Sequence, residues 1–325
     1  MGVTDSQNLA GDAWVAITAA AARTTALKLG TAVTNPVTRH SAVTAAAAAS
    51  AAVVAGDRVS IGIGRGDSAL AHLGRAPASV ADLDRYVHAV RTYLAGETVP
   101  FDDLGFHETM SSPAATLGLA DAPTGSRLTW LSNVEVHVPV EVAASGPRVI
   151  ASAACLADRV MFALGADLDR LRWGIDVART ARQAAGLDPA ALAFGAYLNV
   201  VAHPDVDLAR RLVRGTLTTV ARFSVMHGQV QGPVTDDQRD VLRAVHDAYD
   251  MRRHTRADSQ QAAVLTDEFI ESYAIVGPPS HVVGRLHELA ELGVEKVVVV
   301  GVSPGSDAQE AAFASAAMGS VLNAF

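Results

Sequence analysis

Short runs of β-branched and apolar residues alternate with longer helical patterns along most of this chain. The alternation is typical of βα units, in which each helix returns the chain so that successive strands pair in parallel. Strands are expected at 27–34, 58–64, 138–143, 159–164, 192–201 and 296–300, with a stub at 3–4. Helices are expected at 42–55, 79–94, 148–156, 168–185, 280–292 and 309–322, with a helical series between 205 and 263.

This pattern predicts an α/β fold with a parallel sheet. A TIM-type (β/α)8 barrel accommodates so many repeats in one domain, and the count leaves strand 1 and helix 1 missing. A doubly wound sheet is the competing architecture, because sequence alone does not show whether a sheet closes. No flexible linker divides the chain, so we expect a single domain over 1–325, with insertions at about 95–136 and 224–270.

Composition excludes several classes of protein. The chain has 34 acidic and 26 basic residues, a net charge of −8, which gives no general attraction to nucleic acid or an anionic membrane. The apolar stretch 42–55 is shorter than the roughly 20 residues that span a bilayer, and we interpret it as a buried helix. The start resembles no signal peptide. Cys155 is the only cysteine, and the histidines show no ligand spacing, so we expect a cytoplasmic protein without a metal.

Ligands of parallel α/β folds lie beyond the carboxyl ends of the strands, and two strand exits near the N-terminus are unusual. Asp5 and Ser6 form a polar cluster after the first stub, although either could simply cap a helix. The second exit runs over 30–36 and ends in Asn-Pro, which enforces a turn. Its small residues would let a flat ring approach the backbone, whereas the alternative is an ordinary turn.

Two later exits are also candidates. Residues 62–68 resemble a dinucleotide-binding fingerprint but have Asp67 where glycine is required, so they indicate close ligand approach or a plain loop. At 143–148 a strand ends and a helix begins, with Pro147 suited to the first helical turn. The unpaired N–H groups there would stabilise a phosphate, although helix capping alone also explains the residues.

In this order, the segments resemble the luciferase-like family of flavin- and deazaflavin-dependent barrels. The closest resemblance is to its coenzyme F420-dependent branch, which includes methylenetetrahydromethanopterin reductase. The segments that carry it are Asp5-Ser6, GTAVTNPVTRH at 30–40, GIGRGDSA at 62–69, VPVEVAASGPR at 138–148 and YAIVGPP at 273–279.

The resemblance implies a cofactor site at these exits and a homodimer. It implies a cis peptide bond between Ala32 and Val33 that supports the deazaflavin ring, and a cofactor phosphate at the helix that starts near Gly146. Asp5 and Ser6 are the catalytic candidates, Ser6 standing where several relatives carry histidine. The implied cofactor-binding residues are Asp5, Ser6, Thr31, Ala32, Val33, Thr34, Gly64, Arg65, Gly66, Asp67, Ser68, Ala144, Ser145, Gly146 and Pro147.

The resemblance also implies a reaction. F420 carries a hydride, so we expect an F420-dependent oxidoreductase that acts on a small organic substrate. One alternative is an FMN-dependent monooxygenase of the same family. The other, which follows from the missing first unit, is a truncated cofactor-binding protein without turnover.

Overall fold

The computed structural model describes residues 1–105 and 111–325. Residues 106–110 belong to the insertion predicted at 95–136 and lie outside the described residues. The chain divides into two compact units, Met1–Val142 with Leu156–Asp158, and Ala143–Cys155 with Arg159–Phe325. The assignment of a single domain stays a prediction.

The first unit contains four parallel strands and the helices that connect them. In chain order its elements are β1 (Gly2–Val3), α1 (Ala13–Ala21), β2 (Leu29–Thr31), α2 (Ser41–Ala55), β3 (Val59–Ile63), α3 (Ser68–Ala71), α4 (Val80–Leu94), β4 (Val99–Pro100), β5 (Gly125–Ser126) and most of β6 (Val140–Ala144). β1, β2, β3 and β6 pair in that order, all in parallel. β4 and β5 form a separate antiparallel pair. The predicted βα pattern is therefore confirmed in this unit.

Side-chain caps fix where the first helices begin. The Asp12 carboxylate accepts hydrogen bonds from the amides of Trp14 and Val15, and the Ser79 hydroxyl caps α4 through the amide of Asp82. Helix α1 was not predicted from the sequence. Its nine residues are all uncharged, so the sequence shows no polar face and no helical period.

The outer face of α2 corrects one expectation. We predicted a buried helix at 42–55, but Val43, Val53 and Val54 are exposed, Val53 by 58%. The alanines on the other face, such as Ala45 and Ala48, are fully buried. A helix made almost entirely of alanine and valine has no polar side to mark its outer surface, so its composition overstates its burial.

The second unit continues the alternation and then becomes largely helical. Its elements are α5 (Pro147–Leu156), β7 (Arg159–Phe162), α6 (Leu168–Ala184), β8 (Ala193–Ala202), α7 (Val206–Ser224), α8 (Asp236–Asp247), α9 (Gln260–Ala263), α10 (Asp267–Tyr273), β9 (Ile275–Gly277), α11 (Pro279–Glu291), β10 (Val294–Val300) and α12 (Ala308–Leu322). β8 pairs in parallel with β7, β9 and β10. The last residues of β6 lie beside β7, since the amide of Ala163 donates to the carbonyl of Ala144 at 2.9 Å.

The two faces of β8 have different surroundings. Phe194 stacks on Phe162 of β7 with ring centroids 5.6 Å apart. A Cβ placed on Gly174 of α6 would lie 2.9 Å from the Phe162 ring, so this face packs closely against α6. Side chains alternate between faces along a strand, and Gly195 therefore lies on the opposite face, where a Cβ would meet the side chain of Met161.

Two strand predictions in this unit need correction. The apolar run at 296–300 predicted a strand covered on both faces, but residues 296–300 of β10 are only partly buried. Among the described residues β10 pairs with β8 alone, which leaves its other edge without a strand. β9 was not predicted, because three residues are too few for a periodic signal.

None of the described helices combines the length and apolar character needed to cross a bilayer.

Candidate functional site

In the first unit, the exits of β1 and β2 meet at the carboxylate of Asp5. Its Oδ2 accepts a hydrogen bond from the Thr34 hydroxyl at 2.7 Å and another from Nε of Arg39 at 3.0 Å. The Asp5 side chain is buried, so these two donors supply what water would otherwise provide. The structure thus brings together two predicted residues, Asp5 and Thr34.

Arg39 extends this cluster towards α1. Its guanidinium also donates to Oδ2 of Asp12 at 2.5 Å. That hydrogen bond, with the amide of Val15, holds the pKa of the Asp12 carboxyl below its usual value. Arg39 therefore pairs with a buried and an exposed carboxylate at once, and its single positive charge leaves the three side chains with a net charge of −1.

The backbone of β2 is irregular between Thr31 and Thr34. The Thr31 hydroxyl donates to the carbonyl of Gly62 at 2.8 Å and accepts from its amide at 3.0 Å, so the side chain substitutes for a backbone partner where the ladder stops. The amide of Thr34 then donates to the same carbonyl. The peptide bond between Ala32 and Val33 is cis, as the resemblance implies.

The exit of β3 packs against that of β2. Gly66 has a φ of +79°, and a Cβ there would lie 2.7 Å from Cδ1 of Leu70 and 3.1 Å from Cβ of Asn35. Only glycine fits such a close approach with positive φ. Nε2 of Gln7 also donates to the carbonyl of Ala69 at 3.0 Å, which ties the β1 exit to α3. The segment 64–68 thus lies with the first two exits, as expected.

Ser6 gives the clearest indication that this cluster accepts a ligand. It is 2% exposed, and its Oγ has no hydrogen-bond partner among the described residues. Buried hydroxyls are nearly always paired, so an unpaired one at a strand exit fits a polar edge of a bound molecule. The residues present therefore fit a flat, polar cofactor ring such as a flavin or deazaflavin.

The fourth predicted segment lies in the second unit. The carbonyl of Gly146 accepts the first helical hydrogen bond of α5, from the amide of Ile150 at 2.9 Å. Ser145, Gly146 and Pro147 are only partly buried. A Cβ on Gly146 would meet no heavy atom within 4 Å, so the space before this helix is open. An anion can reach its free N–H groups.

A polar pocket of about 650 Å³ in the second unit is formed by other residues. Four of its five charged side chains pair with each other, Arg252 with Asp250 and Arg253 with Asp258. The fifth, Asp247, lies 3.0 Å from Nδ1 of His246. The pocket therefore offers little uncompensated charge, and none of the predicted site residues lines it.

The role of Arg39 was not predicted from the sequence. The residue was quoted within the segment 30–40 but given no role, although Arg39 is the cation that faces Asp5. The turn at Asn35-Pro36 is what returns Arg39 to the strand exits, and an arginine soon after such a turn was the available signal. The set of residues that contact a cofactor stays a prediction.

The chain also resembles known proteins in sequence. Residues 2–296 match the sequence profile described as luciferase-like monooxygenase. A 5,10-methylenetetrahydromethanopterin reductase from Archaeoglobus fulgidus is 27% identical over 165 residues, which make up 50% of this chain and 47% of that protein. The chain therefore aligns with about half the length of this curated relative.

Solved structures are similar over nearly the whole chain. The coenzyme F420-dependent tetrahydromethanopterin reductase from Methanopyrus kandleri has a TM-score of 0.66 at 21% identity, covering 95% of this chain and 86% of that one. An F420-dependent secondary alcohol dehydrogenase has a TM-score of 0.67 at 17% identity, covering 97% and 84%. A monooxygenase from Streptomyces bottropensis has a TM-score of 0.61 at 20% identity, covering 96% and 82%.

At such identities the structural likeness shows the fold alone, and it confirms the predicted α/β fold of barrel type. The sequence match extends over most of the chain. The chain therefore belongs to the luciferase-like monooxygenase family.

Proposed function

We propose that this chain is an F420-dependent oxidoreductase that transfers a hydride between the cofactor and a small organic substrate. The observation that carries the proposal is the buried Ser6 hydroxyl, which has no hydrogen-bond partner among the described residues and follows Asp5 at the strand exits. The curated relative, a methylenetetrahydromethanopterin reductase, favours this branch of the family over the others.

The residues around Asp5 would orient the ring and exclude water from it. When bound, F420 supplies a carbon that accepts or donates a hydride. Thr34 and Arg39 keep Asp5 in one position, and the Ser6 hydroxyl is free to donate to or accept from the ring edge. Asp5 and Ser6 remain the candidates for moving a proton. The N–H groups at the start of α5 would receive the cofactor phosphate.

Cofactor choice is tested by titrating the purified protein with F420 and with FMN and following fluorescence. We expect saturable binding of F420 and weak binding of FMN. Tight binding of FMN, with oxygen consumption once the flavin is reduced, would instead indicate an FMN-dependent monooxygenase. The family name and the Streptomyces bottropensis neighbour favour this alternative. Binding of F420 without any turnover would support the hypothesis of a cofactor-binding protein that catalyses no reaction.

The phosphate position is tested by Gly146→Glu. The added carboxylate would enter open space before α5 and compete with a phosphate for the same N–H groups. We expect the Kd for F420 to rise at least about tenfold, since charge effects at a helix end reach about 2 kcal/mol.

Gly284→Glu is the matched control, because it adds the same charge on α11 where a Cβ also meets nothing within 4 Å. Equal F420 affinity in both folded variants would place the phosphate elsewhere.

The homodimer and the cytoplasmic location stay predictions, which light scattering and cell fractionation can test.

A further inference from the structure

Asn199 is a buried amide that the fold does not use. It lies in β8, is 1% exposed, and neither its Oδ1 nor its Nδ2 has a hydrogen-bond partner among the described residues. Asn35 shows the usual arrangement for the same residue type at the same exposure. Its Oδ1 accepts from the amides of Val37 and Thr38, and its Nδ2 donates to the Thr38 hydroxyl.

The position of Asn199 in β8 indicates where the amide points. Residues 195, 197 and 199 alternate with Phe194, which stacks on Phe162 on the side of α6. Asn199 therefore lies on the other face, which it shares with Gly195 and Met161. It pairs with Val300 of β10 and lies in the carboxyl-terminal half of its strand, the half at which parallel α/β folds bind ligands.

A stable core does not favour an amide in this place. Leaving a buried polar group unpaired destabilises the folded chain, and a leucine or valine would remove that cost. Because Val201, the next residue of β8 on the same face, is also buried, an apolar residue would be in keeping with the local environment. The amide is thus better explained by a partner that the protein binds than by the fold.

We propose that Asn199 hydrogen-bonds the substrate and selects a carbonyl/hydroxyl redox pair. This inference rests on the proposed function. Hydride transfer converts a carbonyl oxygen, which only accepts hydrogen bonds, into a hydroxyl that also donates. A carboxamide can donate through Nδ2 to the carbonyl and accept through Oδ1 from the hydroxyl, without changing its own protonation.

The reaction balances with reduced F420 as the reductant. The carbonyl carbon gains the hydride with its two electrons, the π pair of the carbonyl moves to oxygen, and the oxygen takes up one proton, ultimately from solvent. Nδ2 of Asn199 would polarise the carbonyl and stabilise the charge that develops on oxygen. Asn199 itself neither gains nor loses a proton.

Stability is the first test, because it does not depend on turnover. Asn199→Leu replaces the amide with a side chain of similar size, and we expect its melting temperature to rise by a few degrees because an unpaired polar group is removed. Asn35→Leu is the matched control and should lower the melting temperature, since it removes three formed hydrogen bonds. A lower melting temperature or a failure to fold for Asn199→Leu would overturn the inference.

Kinetics is the second test, with reduced F420 and the probes acetone and cyclohexanone, and with isopropanol and cyclohexanol for the reverse direction. We expect turnover of at least one pair, and in Asn199→Leu a KM for the ketone raised roughly tenfold, the loss of one hydrogen bond of about 1.4 kcal/mol. The Kd for F420 should stay within about twofold of the original.

The remaining outcomes separate the two proposals. Wild-type protein that binds F420 but reduces neither ketone would overturn the substrate class and leave the proposed function intact. A weaker Kd for F420 in Asn199→Leu would assign the amide to the cofactor and overturn its role towards the substrate. Absence of F420 binding by the wild type would overturn the proposed function itself, and the stability comparison would still decide whether the fold needs the amide.

Discussion

At the scale of single residues, the hydrogen bond that caps the start of α2 depends on the protonation of His40. Its Nδ1 accepts a hydrogen bond from the amide of Ala42 at 3.2 Å, which requires that nitrogen to be unprotonated. Burial lowers the pKa of His40 from the ordinary 6.5, although a hydrogen bond with the backbone of Leu104 opposes the shift. The folded chain therefore holds His40 neutral at pH values where the unfolded chain has begun to protonate it.

We predict that the free energy of unfolding falls as the pH drops below about 6.5, because between the folded and unfolded pKa of His40 the unfolded chain binds more protons. The contribution is fully present above the unfolded pKa and is lost as the pH falls through the folded one. His40→Asn retains a capping side chain without a titrating group and should flatten this slope. Urea unfolding of both proteins between about pH 5 and pH 8 measures the difference, and parallel profiles would contradict it.

The site residues show what a sequence can predict at this scale. The hydrophobic pattern predicted the segments that contain Asp5, Thr34 and Gly66 as strand exits, whereas the resemblance to the family implied that these residues bind a cofactor. Ser6 was predicted by position, but that its hydroxyl lacks a partner depends on packing. Arg39 had the signal of a preceding turn, but its ion pair with Asp5 depends on residues far apart in the sequence. The same holds for the amide of Asn199, which has no partner among the described residues.

At the scale of elements, the loop after β3 depends on Gly66. Its positive φ costs a non-glycine residue about 1–2 kcal/mol, and Leu70, which a Cβ would strike, is fully buried and has little room to move. Gly74 has a similar φ of +69° but open space around it.

We therefore predict that Gly66→Ala lowers the free energy of unfolding by about 2–4 kcal/mol, and Gly74→Ala by about 1–2 kcal/mol. Chemical denaturation of the two variants gives the comparison directly. The difference isolates the contact with Leu70, because both variants share the cost of the backbone conformation. Equal losses would mean that Leu70 moves aside.

Elements were predicted best where the sequence carries a boundary signal. The helix predicted at 79–94 matches α4, which starts after the Ser79 cap. The helix predicted at 280–292 matches α11, with Pro278 just before it and Pro279 as its first residue. α1 was missed because an uncharged helix has no polar period, and β9 because it is too short. The exposure of β10 depends on which strands pair beside it, and the sequence of β10 alone does not specify those partners.

At the scale of the whole molecule, Arg170 holds distant segments of the second unit together. It is fully buried in α6 and donates to the carbonyl of Leu164 at 3.0 Å, to the carbonyl of Pro233 at 2.9 Å and to the hydroxyl of Ser224 at 3.0 Å. Its guanidinium also lies over the ring of Tyr273, 5.3 Å from the centroid. One side chain thus joins the exit of β7 to the insertion predicted at 224–270.

We predict that Arg170→Met lowers the free energy of unfolding by about 2–4 kcal/mol, because three acceptors lose their donor while the volume is roughly kept. Arg172→Met is the control, since Arg172 pairs with exposed Asp169, and this substitution should change stability by less than about 0.5 kcal/mol. Urea unfolding measures both. A neutral Arg170→Met would mean that removing a buried charge compensates for the lost hydrogen bonds.

The class of fold was predictable because it depends on counting. Seven of the eight parallel strands among the described residues, all but β9, match the six predicted strands and the stub. The helices of the 224–270 region were expected only as a series, because what positions them is a set of contacts such as those of Arg170, and such contacts involve residues far apart in the chain.

The small antiparallel pair β4 and β5 has a consequence for how this chain tolerates change. Val99 pairs with Ser126 and Pro100 with Gly125, so the two ends of segment 101–124 are joined at its base. The entropy of closing such a loop grows only with the logarithm of its length, and doubling the length costs about 0.6 kcal/mol. The described part 111–124 is therefore a place where sequence can be gained or lost at small thermodynamic cost, and where a new peptide could be displayed without altering the register of the parallel strands.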